Sequence, residues 1–307
     1  MVASAGGLDA FKKFFAAMPA DSGIAFVLIP HLDPKHESLM VELLARHTPM
    51  PVVEAEEGMA AEANQVYVLP PNKYMTIAGG ILRLTGPVER SGLQTSIDLF
   101  LRSLADDQME KAICIILSGT GAHGTLGLKA VKAAGGMAMV QAPSTAEYPR
   151  MPQSAIATGL ADFVLPAEQM PEALVKYVQH FYVESGTRAA GAVEAPDYLN
   201  QLLALLRTRT KFDFRCYRKK MLMRRVERRM GLTHIQNVAE YMAYLREHPD
   251  EVKQLVRDLL ISVTSFFRDP DAFQALKAEV IAPLLEAKEA AHELLVSGTP
   301  CPRRAGP

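Results

Sequence analysis

The spacing of hydrophobic and polar positions changes about two thirds of the way along the chain. Up to about residue 165, short β-branched apolar runs alternate with segments whose apolar residues recur every three or four positions, as in β–α–β units. This alternation predicts an α/β domain with a mainly parallel sheet covered by helices. Six runs are predicted strands: Ile24–Ile29, Val66–Leu69, Ile81–Leu84, Ala112–Leu117, Met137–Val140 and Phe163–Leu165.

A linker is predicted after this domain. The last helical pattern of the domain covers Ala167–Val183, and Ser185–Pro196 is rich in small residues and has no apolar period. Such composition is typical of a connecting segment. We therefore expect a first domain over residues 1–183 and a linker over 184–196.

Only helical patterns follow the linker. His248-Pro249 and Asp269-Pro270 are expected to separate helices, because proline disfavours the helical conformation in the residue before it. Residues 197–291 are predicted to form a small all-α domain, and 292–307 a disordered or truncated tail. The predicted helices are Leu199–Leu206, Phe214–Met230, Val238–Leu245, Val252–Val263 and Asp271–Ala291.

Composition and length fit this two-domain organisation. The chain has 307 residues, of which 49% are hydrophobic and 22% charged, which excludes disordered, collagenous and coiled-coil classes. Cys114, Cys216 and Cys301 lie far apart, so we expect neither a disulfide framework nor a metal site. No apolar run is long enough to cross a bilayer, and no leader pattern is present. These features predict a cytoplasmic protein without membrane insertion.

The charge is distributed unevenly. Arg207 to Arg229 contains eleven Lys and Arg against two acidic residues, a local charge of +9 in a chain whose net charge is −1. This segment is expected to contact an anionic partner.

Two loops of the first domain carry chemically useful side chains. Ser4 lies among small residues at the predicted start of a helix, and His31 follows the strand Ile24–Ile29. A histidine within reach of a serine can take its proton and make it a nucleophile. Taken singly, Ser4 also fits a plain helix N-cap and His31 a solvated strand end.

A third loop, Ser118–Gly124, follows the strand Ala112–Leu117 and opens a helix. Gly119, Gly121 and Gly124 form a GxGxxG pattern, which suggests a dinucleotide-binding site. That fingerprint requires an acidic residue at the end of the next strand, where this chain has Gln141-Ala142-Pro143. The dinucleotide interpretation is therefore the weaker one.

Together these loops resemble the catalytic domain of the chemotaxis-receptor methylesterase (CheB-type). The resemblance covers about residues 1–180. It is carried by Ala3-Ser4-Ala5-Gly6-Gly7, Ile29-Pro30-His31, Ser96-Ile97-Asp98, Leu117-Ser118-Gly119-Thr120-Gly121 and Met151-Pro152. It implies a doubly wound sheet and hydrolysis of glutamate γ-methyl esters on receptor helices, without a cofactor, with Ser4 as nucleophile and His31 as general base.

The chain departs from this family pattern at two positions. His123 occupies the place of the triad aspartate, and an imidazole cannot stabilise the His31 imidazolium as a carboxylate does. The resemblance therefore predicts an esterase that is weak or silent. Only Met1, Val2 and Ala3 precede Ser4, where the family has an apolar strand. Either the start of the sequence was assigned too late, or most of the central strand is missing and the Ser4 turn is poorly supported.

Cationic side chains recur on one side of the predicted helix Phe214–Met230. Arg224, Arg225, Arg228 and Arg229 can dock an acidic protein surface, and we take them as the receptor-docking residues. A solvated helix face and nucleic-acid phosphate are the alternatives. Nucleic acid is the least favoured, because the segment has no helix-turn-helix pattern and no interleaved aromatic residues.

The helical domain resembles the N-terminal domain of the chemotaxis-receptor methyltransferase (CheR-type). The likeness covers about residues 197–290 and is carried by Arg224–Met230 and Thr264-Ser265-Phe266-Phe267-Arg268. It implies that the basic helix faces the acidic receptor and that Thr264 and Arg268 contact S-adenosylmethionine. From the resemblance we expect the chain to be truncated before the domain that binds most of this cofactor in the family, and we do not expect methyl transfer by this polypeptide alone.

Two functions follow from these resemblances. The first is a protein-glutamate methylesterase of chemotaxis-type receptors, fused to a partial methyltransferase module. The alternative is a catalytically impaired adaptor that binds receptor or signalling helices through Arg224, Arg225, Arg228 and Arg229. In both cases the predicted partners are methyl-accepting receptors or related signalling proteins, and nucleic acid is not a predicted partner.

Overall fold

A computed structural model describes residues 1–30, 39–86, 95–187 and 195–260, with side chains for all of these except 180–187 and 195–197. The described residues belong to one compact unit, Met1–Ser262. His31, Thr264 and Arg268 lie outside the described residues, as do the predicted helix Asp271–Ala291 and the tail.

Within the described residues, seven strands form one parallel sheet and two form a separate antiparallel hairpin. The sheet order is β3-β4-β2-β1-β7-β8-β9, and the hairpin pairs β5 with β6. All ladders of the large sheet are parallel. The strands are β1 (Val2–Ala3), β2 (Phe26–Pro30), β3 (Val52–Glu54), β4 (Val66–Val68), β5 (Tyr74–Ala78), β6 (Ile81–Thr85), β7 (Ile113–Ile116), β8 (Met137–Gln141) and β9 (Phe163–Leu165).

Helices cover both faces of the sheet, as the predicted doubly wound α/β fold requires. Alternate residues of a strand point to opposite faces, so Ile115 packs against one layer and Cys114 and Ile116 against the other. The first layer contains α1 (Gly7–Ala17), α2 (Met40–Ala45) and α6 (Met170–Thr187). The second contains α3 (Ser96–Gln108), α4 (Thr125–Ala134), α5 (Arg150–Ala157) and the hairpin.

The second region of the chain is helical, as predicted. Its apolar positions, Leu202, Leu222, Tyr241 and Leu255 among them, form a third core cluster. The helix that follows the predicted break at His248-Pro249 begins at Pro249, where proline is tolerated because the first-turn N–H has no helical partner. The helices are α7 (Ala195–Thr210), α8 (Lys219–Thr233), α9 (Val238–Glu247) and α10 (Pro249–Leu260).

Several predicted elements were placed incorrectly. Ile81–Leu84 belongs to the antiparallel hairpin and not to the parallel sheet. The strands Val52–Glu54 and Tyr74–Ala78 were missed, the first because its apolar run is only two residues long. Helix α8 begins at Lys219 rather than at Phe214, because the Asp213 carboxylate accepts the Arg215 N–H at 3.0 Å and holds a turn there.

The central strand β1 has only two residues, whereas its neighbours β2 and β7 have five and four. A cavity of about 250 Å³ lies at its amino end and is lined by Met1, Phe26 and Ile113 among others. The Met1 ammonium donates to the Val27 carbonyl at 2.6 Å. Burial lowers the pKa of this amine to about 6.

Candidate active site

Ser4 lies where the central strand meets α1. It follows β1 directly, and its N–H donates to the Ser118 carbonyl at 2.9 Å, while its own carbonyl accepts from Gly7 at 3.0 Å. Gly6 caps the helix with φ of +69°, a left-handed conformation that favours glycine. This tight turn places Ser4 at the carboxyl edge of the sheet, where open α/β folds bind ligands.

The second loop leaves the sheet beside the first. Ala3 and Pro30 are partners in the parallel ladder between β1 and β2. These are the residues that precede Ser4 and His31 in the sequence. His31 itself lies outside the described residues, so its distance from Ser4 stays a prediction.

The third loop follows β7, the other neighbour of β1, and approaches Ser4 closely. A Cβ atom built on Gly119 would lie 3.0 Å from the Ser4 Cβ and 2.6 Å from the Met151 Sδ. Any larger residue at position 119 would displace one of these groups. The glycine motif thus permits contact between the third loop and the Ser4 turn.

His123 lies in the same turn and is half-buried. The turn depends on Gly121 and Gly124, whose φ angles are +78° and +84°. A Cβ atom on Gly121 would lie 3.4 Å from His123 Nε2, so the imidazole packs against the Gly121 backbone. The structure thus places His123 at the same edge of the sheet as Ser4, in the loop next to it.

A buried polar network that the sequence analysis missed joins these loops. The Ser118 hydroxyl donates to the Ala5 carbonyl at 2.9 Å and accepts the Tyr148 N–H at 3.0 Å. The Gln141 side chain accepts the Ser118 N–H at 2.9 Å and donates to the Thr145 carbonyl at 3.0 Å. Ser118 and Gln141 are 1% and 2% exposed. Gln141, a polar residue at the end of a buried strand, was the signal that could have identified this network.

Asp98, part of the Ser96-Ile97-Asp98 motif, stabilises the helix that follows the third loop. Its carboxylate accepts the Gly127 N–H of α4 at 2.8 Å and the Thr95 hydroxyl at 2.8 Å. Asp98 is 3% exposed. It therefore fixes the start of α4 relative to α3, and α4 follows the turn that carries His123.

The four predicted receptor-docking arginines lie on α8 and contact the chain itself. Arg224 forms an ion pair with Glu110, and Arg225 donates to the carbonyls of Lys132 and Ala133 at 3.0 and 2.8 Å. These two carbonyls belong to the last turn of α4, where the helix dipole attracts cations.

The other two arginines are buried. Arg228, 2% exposed, forms ion pairs with Asp162 and Asp258. Arg229 Nε donates to Glu251 at 2.8 Å, and Glu251 also accepts the Tyr241 hydroxyl at 2.8 Å. Both guanidinium groups are buried, so Arg228 and Arg229 do not form the solvated helix face that the sequence left as an alternative. Docking of a receptor by these side chains is not tested by this arrangement and stays a prediction.

Lys132 completes the group of charges around Arg228. Its ammonium lies 2.7 Å from an Asp162 oxygen and 3.7 Å from an Asp258 oxygen. Burial, together with the charge of Arg228, lowers the pKa of Lys132. Burial alone would raise the pKa of Asp162, but the charges of Arg228 and Lys132 outweigh it and lower that pKa. The sequence offered no signal for Asp162 as a partner of the arginines, because the two are far apart along the chain.

Two further properties concern the described part of the chain only. Within it, no cluster of three or more His, Cys, Asp or Glu side chains is placed to hold a metal ion. None of its helices has both the length and the hydropathy needed to cross a membrane.

Each of the two regions of the chain matches the model of a known protein family. The model of the CheB methylesterase family matches residues 1–174. The model of the all-alpha domain of the CheR methyltransferase matches residues 197–260.

Similar proteins come from several bacteria. An uncharacterized 104.1 kDa protein of Rhodobacter capsulatus is 38% identical over 80% of this chain and 28% of its own length. A protein of Burkholderia pseudomallei named protein-glutamate methylesterase/protein-glutamine glutaminase 2 is 33% identical over 58% of this chain and 52% of its own. The chain therefore spans about half or less of these two relatives. A Leptospira interrogans protein, named a putative enzyme of the same kind, is 33% identical over 58% of this chain and 92% of its own.

A solved structure shares the fold of the first region. The CheB methylesterase catalytic domain of Thermotoga maritima superimposes with a TM-score of 0.53 at 27% identity, over 57% of this chain and 95% of the other. The chain thus belongs to the CheB methylesterase family and carries a CheR-type all-alpha domain after its methylesterase domain.

Proposed function

We propose that this chain hydrolyses γ-methyl esters of glutamate side chains in chemotaxis-type receptors, with Ser4 as nucleophile and His31 as general base. The observation that carries this proposal is the register of the central strands. Ala3 and Pro30 are ladder partners, so the chain passes from two adjacent strand ends into the two proposed catalytic residues. The names of the Burkholderia and Leptospira relatives support the same activity.

The reaction follows the chemistry of a serine esterase. The Ser4 hydroxyl attacks the ester carbonyl while His31 takes its proton, and a tetrahedral oxyanion forms. The N–H groups of Ser118 and Gly119 already donate to Gln141 and Tyr148. We therefore assign the oxyanion to N–H groups of the Ala5–Gly6 turn, at the positive end of α1.

Collapse of this intermediate breaks the bond to the methoxy oxygen, which leaves as methanol with the proton held by His31. Water then attacks the resulting acyl-serine, again with His31 as base, and releases the glutamate. Because His123 occupies the acid position, the imidazolium formed in both steps has no carboxylate from this loop, and we expect a slow enzyme.

The helical domain adds a second part to the proposal. By the CheR-type likeness, Thr264 and Arg268 would contact S-adenosylmethionine, and Arg268 suits its carboxylate because a guanidinium can bind it with two parallel hydrogen bonds. Both residues lie outside the described residues. We propose that this region is a partial methyltransferase module that contributes to docking, and that the protein acts in the cytoplasm on its receptors.

The alternative proposal is an adaptor without esterase activity. His123 at the acid position favours it, because a triad without its acid loses about 10⁴ in kcat. Such a protein would bind receptor or signalling helices through the helical domain and leave their methyl esters intact.

One assay separates the two functions. Purified chain is incubated with receptor whose glutamate methyl esters carry a radioactive methyl group, and volatile methanol is measured against a Ser4→Ala variant. The esterase proposal expects release that the variant lacks. Equal release from both proteins would rule out the Ser4 esterase.

A further inference from the structure

A buried group of four charges joins the methylesterase domain to the helical domain. We name Lys132, Asp162, Arg228 and Asp258 the interdomain charge cluster. Lys132 and Asp162 come from the methylesterase domain, and Arg228 and Asp258 from α8 and α10. Their side chains are between 2% and 6% exposed. Two cations face two carboxylates, so the cluster is neutral, as a buried group of charges must be.

Additional contacts bind α8 to the same surface. Arg228 Nε donates to the Gly136 carbonyl at 3.1 Å, and Arg225 donates to the last turn of α4. Leu232, near the end of α8, packs into the core cluster that contains α1 and α6. The cationic side of α8 is thus bound by carboxylates, carbonyls and apolar side chains of the neighbouring domain.

This contact lies on the edge of the sheet opposite the Ser4 site. Gly136 precedes β8 and Asp162 precedes β9, so both lie at the amino ends of parallel strands. Ser4, Ser118 and His123 follow the carboxyl ends of β1 and β7. The contact lies away from the Ser4 edge and occupies three of the four arginines predicted to dock a receptor, Arg224, Arg225 and Arg228.

We propose that the methylesterase domain binds the cationic face of α8 in cis and competes with any acidic helix that binds this face in trans. This proposal rests on the docking part of the proposed function. An acidic partner reaches Arg225 and Arg228 only when α8 separates from the methylesterase domain. The contact is therefore an autoinhibitory one, which acts on partner binding and leaves ester hydrolysis at the opposite edge unaffected.

The test uses the full chain, a fluorescent 20-residue poly-L-glutamate peptide as the acidic probe, and the variant Asp162→Asn. Removal of this carboxylate leaves Arg228 and Lys132 with Asp258 alone, which favours release of α8. We expect the probe to bind the variant at least fivefold more tightly than the wild type, with a larger radius of gyration in X-ray scattering. Asp106→Asn is the matched control, because Asp106 is an exposed carboxylate on α3 and its change alters net charge equally.

A milder variant covers the case in which Asp162→Asn does not fold. Glu110 pairs with Arg224 at a partly exposed position, so Glu110→Gln should keep the fold and tighten probe binding about twofold over Asp106→Asn. Affinity equal to the control in the folded variants overturns the proposal, and so does a lack of binding by every variant. Failure of the esterase proposal would appear in methanol release and leave these affinities unchanged.

Discussion

At the scale of single residues, the proposed function depends most on His123, which we propose occupies the position of the triad acid. The turn that carries His123 is formed by Gly121 and Gly124, which have positive φ, and Gly119 in the same loop lies close to the Ser4 side chain. Replacement of His123 by Asp should therefore supply the missing charge without rebuilding the loop. We expect kcat for methanol release to rise by a factor of up to about 10⁴, measured by initial rates on methylated receptor.

The double variant Ser4→Ala/His123→Asp controls this experiment. If its rate equals that of His123→Asp, the gain does not pass through the Ser4 hydroxyl. No gain in His123→Asp, with unchanged folding by circular dichroism, would contradict the assignment of position 123.

Cysteine reactivity gives a second prediction at the residue scale. Cys114 is buried in β7, and this burial raises the pKa of its thiol to about 12, whereas Cys216 is exposed. Since the thiolate is the reactive form, iodoacetamide at pH 8 should modify Cys216 in the native protein and Cys114 only after denaturation. Mass spectrometry of the two tryptic peptides measures this, and equal native labelling would contradict the packing of the sheet.

At the scale of elements, the sequence predicted most of the strands and helices and missed those with short or ambiguous patterns. A continuous apolar run such as Met137–Val140 is typical of a strand buried on both faces, whereas Val52–Glu54 contains only two apolar residues. The pairing of β5 with β6 has a local signal that was overlooked, the two-residue turn Gly79-Gly80, in which both glycines have positive φ. The turns at Ser4 and Ser118 were predicted because glycine spacing is local information. The Ser118–Gln141 network was missed because its members are 23 residues apart.

The start of α1 is the element on which the site depends most, and a glycine substitution tests it. Gly6 and Gly58 both have positive φ, +69° and +82°, but a Cβ atom on Gly6 would lie 2.7 Å from the Ser118 Oγ, whereas nothing lies within 4 Å at Gly58. Gly58→Ala should cost about 1–2 kcal/mol of unfolding free energy, from backbone strain alone. Gly6→Ala should cost about 1–3 kcal/mol more, because the added methyl group overlaps its neighbours.

Urea denaturation of the two variants measures this difference. Equal losses would mean that the Ser118 hydroxyl does not lie against Gly6, which would contradict the network that joins the two loops.

At the scale of the whole molecule, the relation between the two domains could not be predicted from the sequence. The basic helix was expected to be exposed and to bind a partner. Nothing in the sequence indicates that Arg228 pairs with Asp162, because the two residues are 66 positions apart. The cationic pattern of the helix was recognised, but the anions that it contacts in this structure, Asp162 among them, belong to the same chain. Prediction of such a contact requires the packing of the sheet and the bundle together.

The interdomain charge cluster also makes a prediction for stability. Arg228→Met leaves buried Asp162 with Lys132 alone and Asp258 with Lys132 and Arg229 at 3.7 and 3.9 Å. Removal of one partner from a buried ion pair costs about 3–5 kcal/mol. Arg215→Met is the control, because Arg215 pairs with Asp213 at an exposed position and its loss should change stability little. Urea denaturation midpoints compare the two, and equal midpoints would contradict burial of the cluster.

The central claim, that Ser4 is a nucleophile activated by His31, is tested most directly by covalent labelling. The full chain is treated with a fluorophosphonate, which reacts with activated serine hydroxyls, and the tryptic peptide Met1–Lys12 is analysed by mass spectrometry. The account predicts phosphonylation of Ser4 that is absent in Ser4→Ala and strongly slowed in His31→Ala. Absence of label on Ser4, or labelling that His31→Ala leaves unchanged, would contradict it.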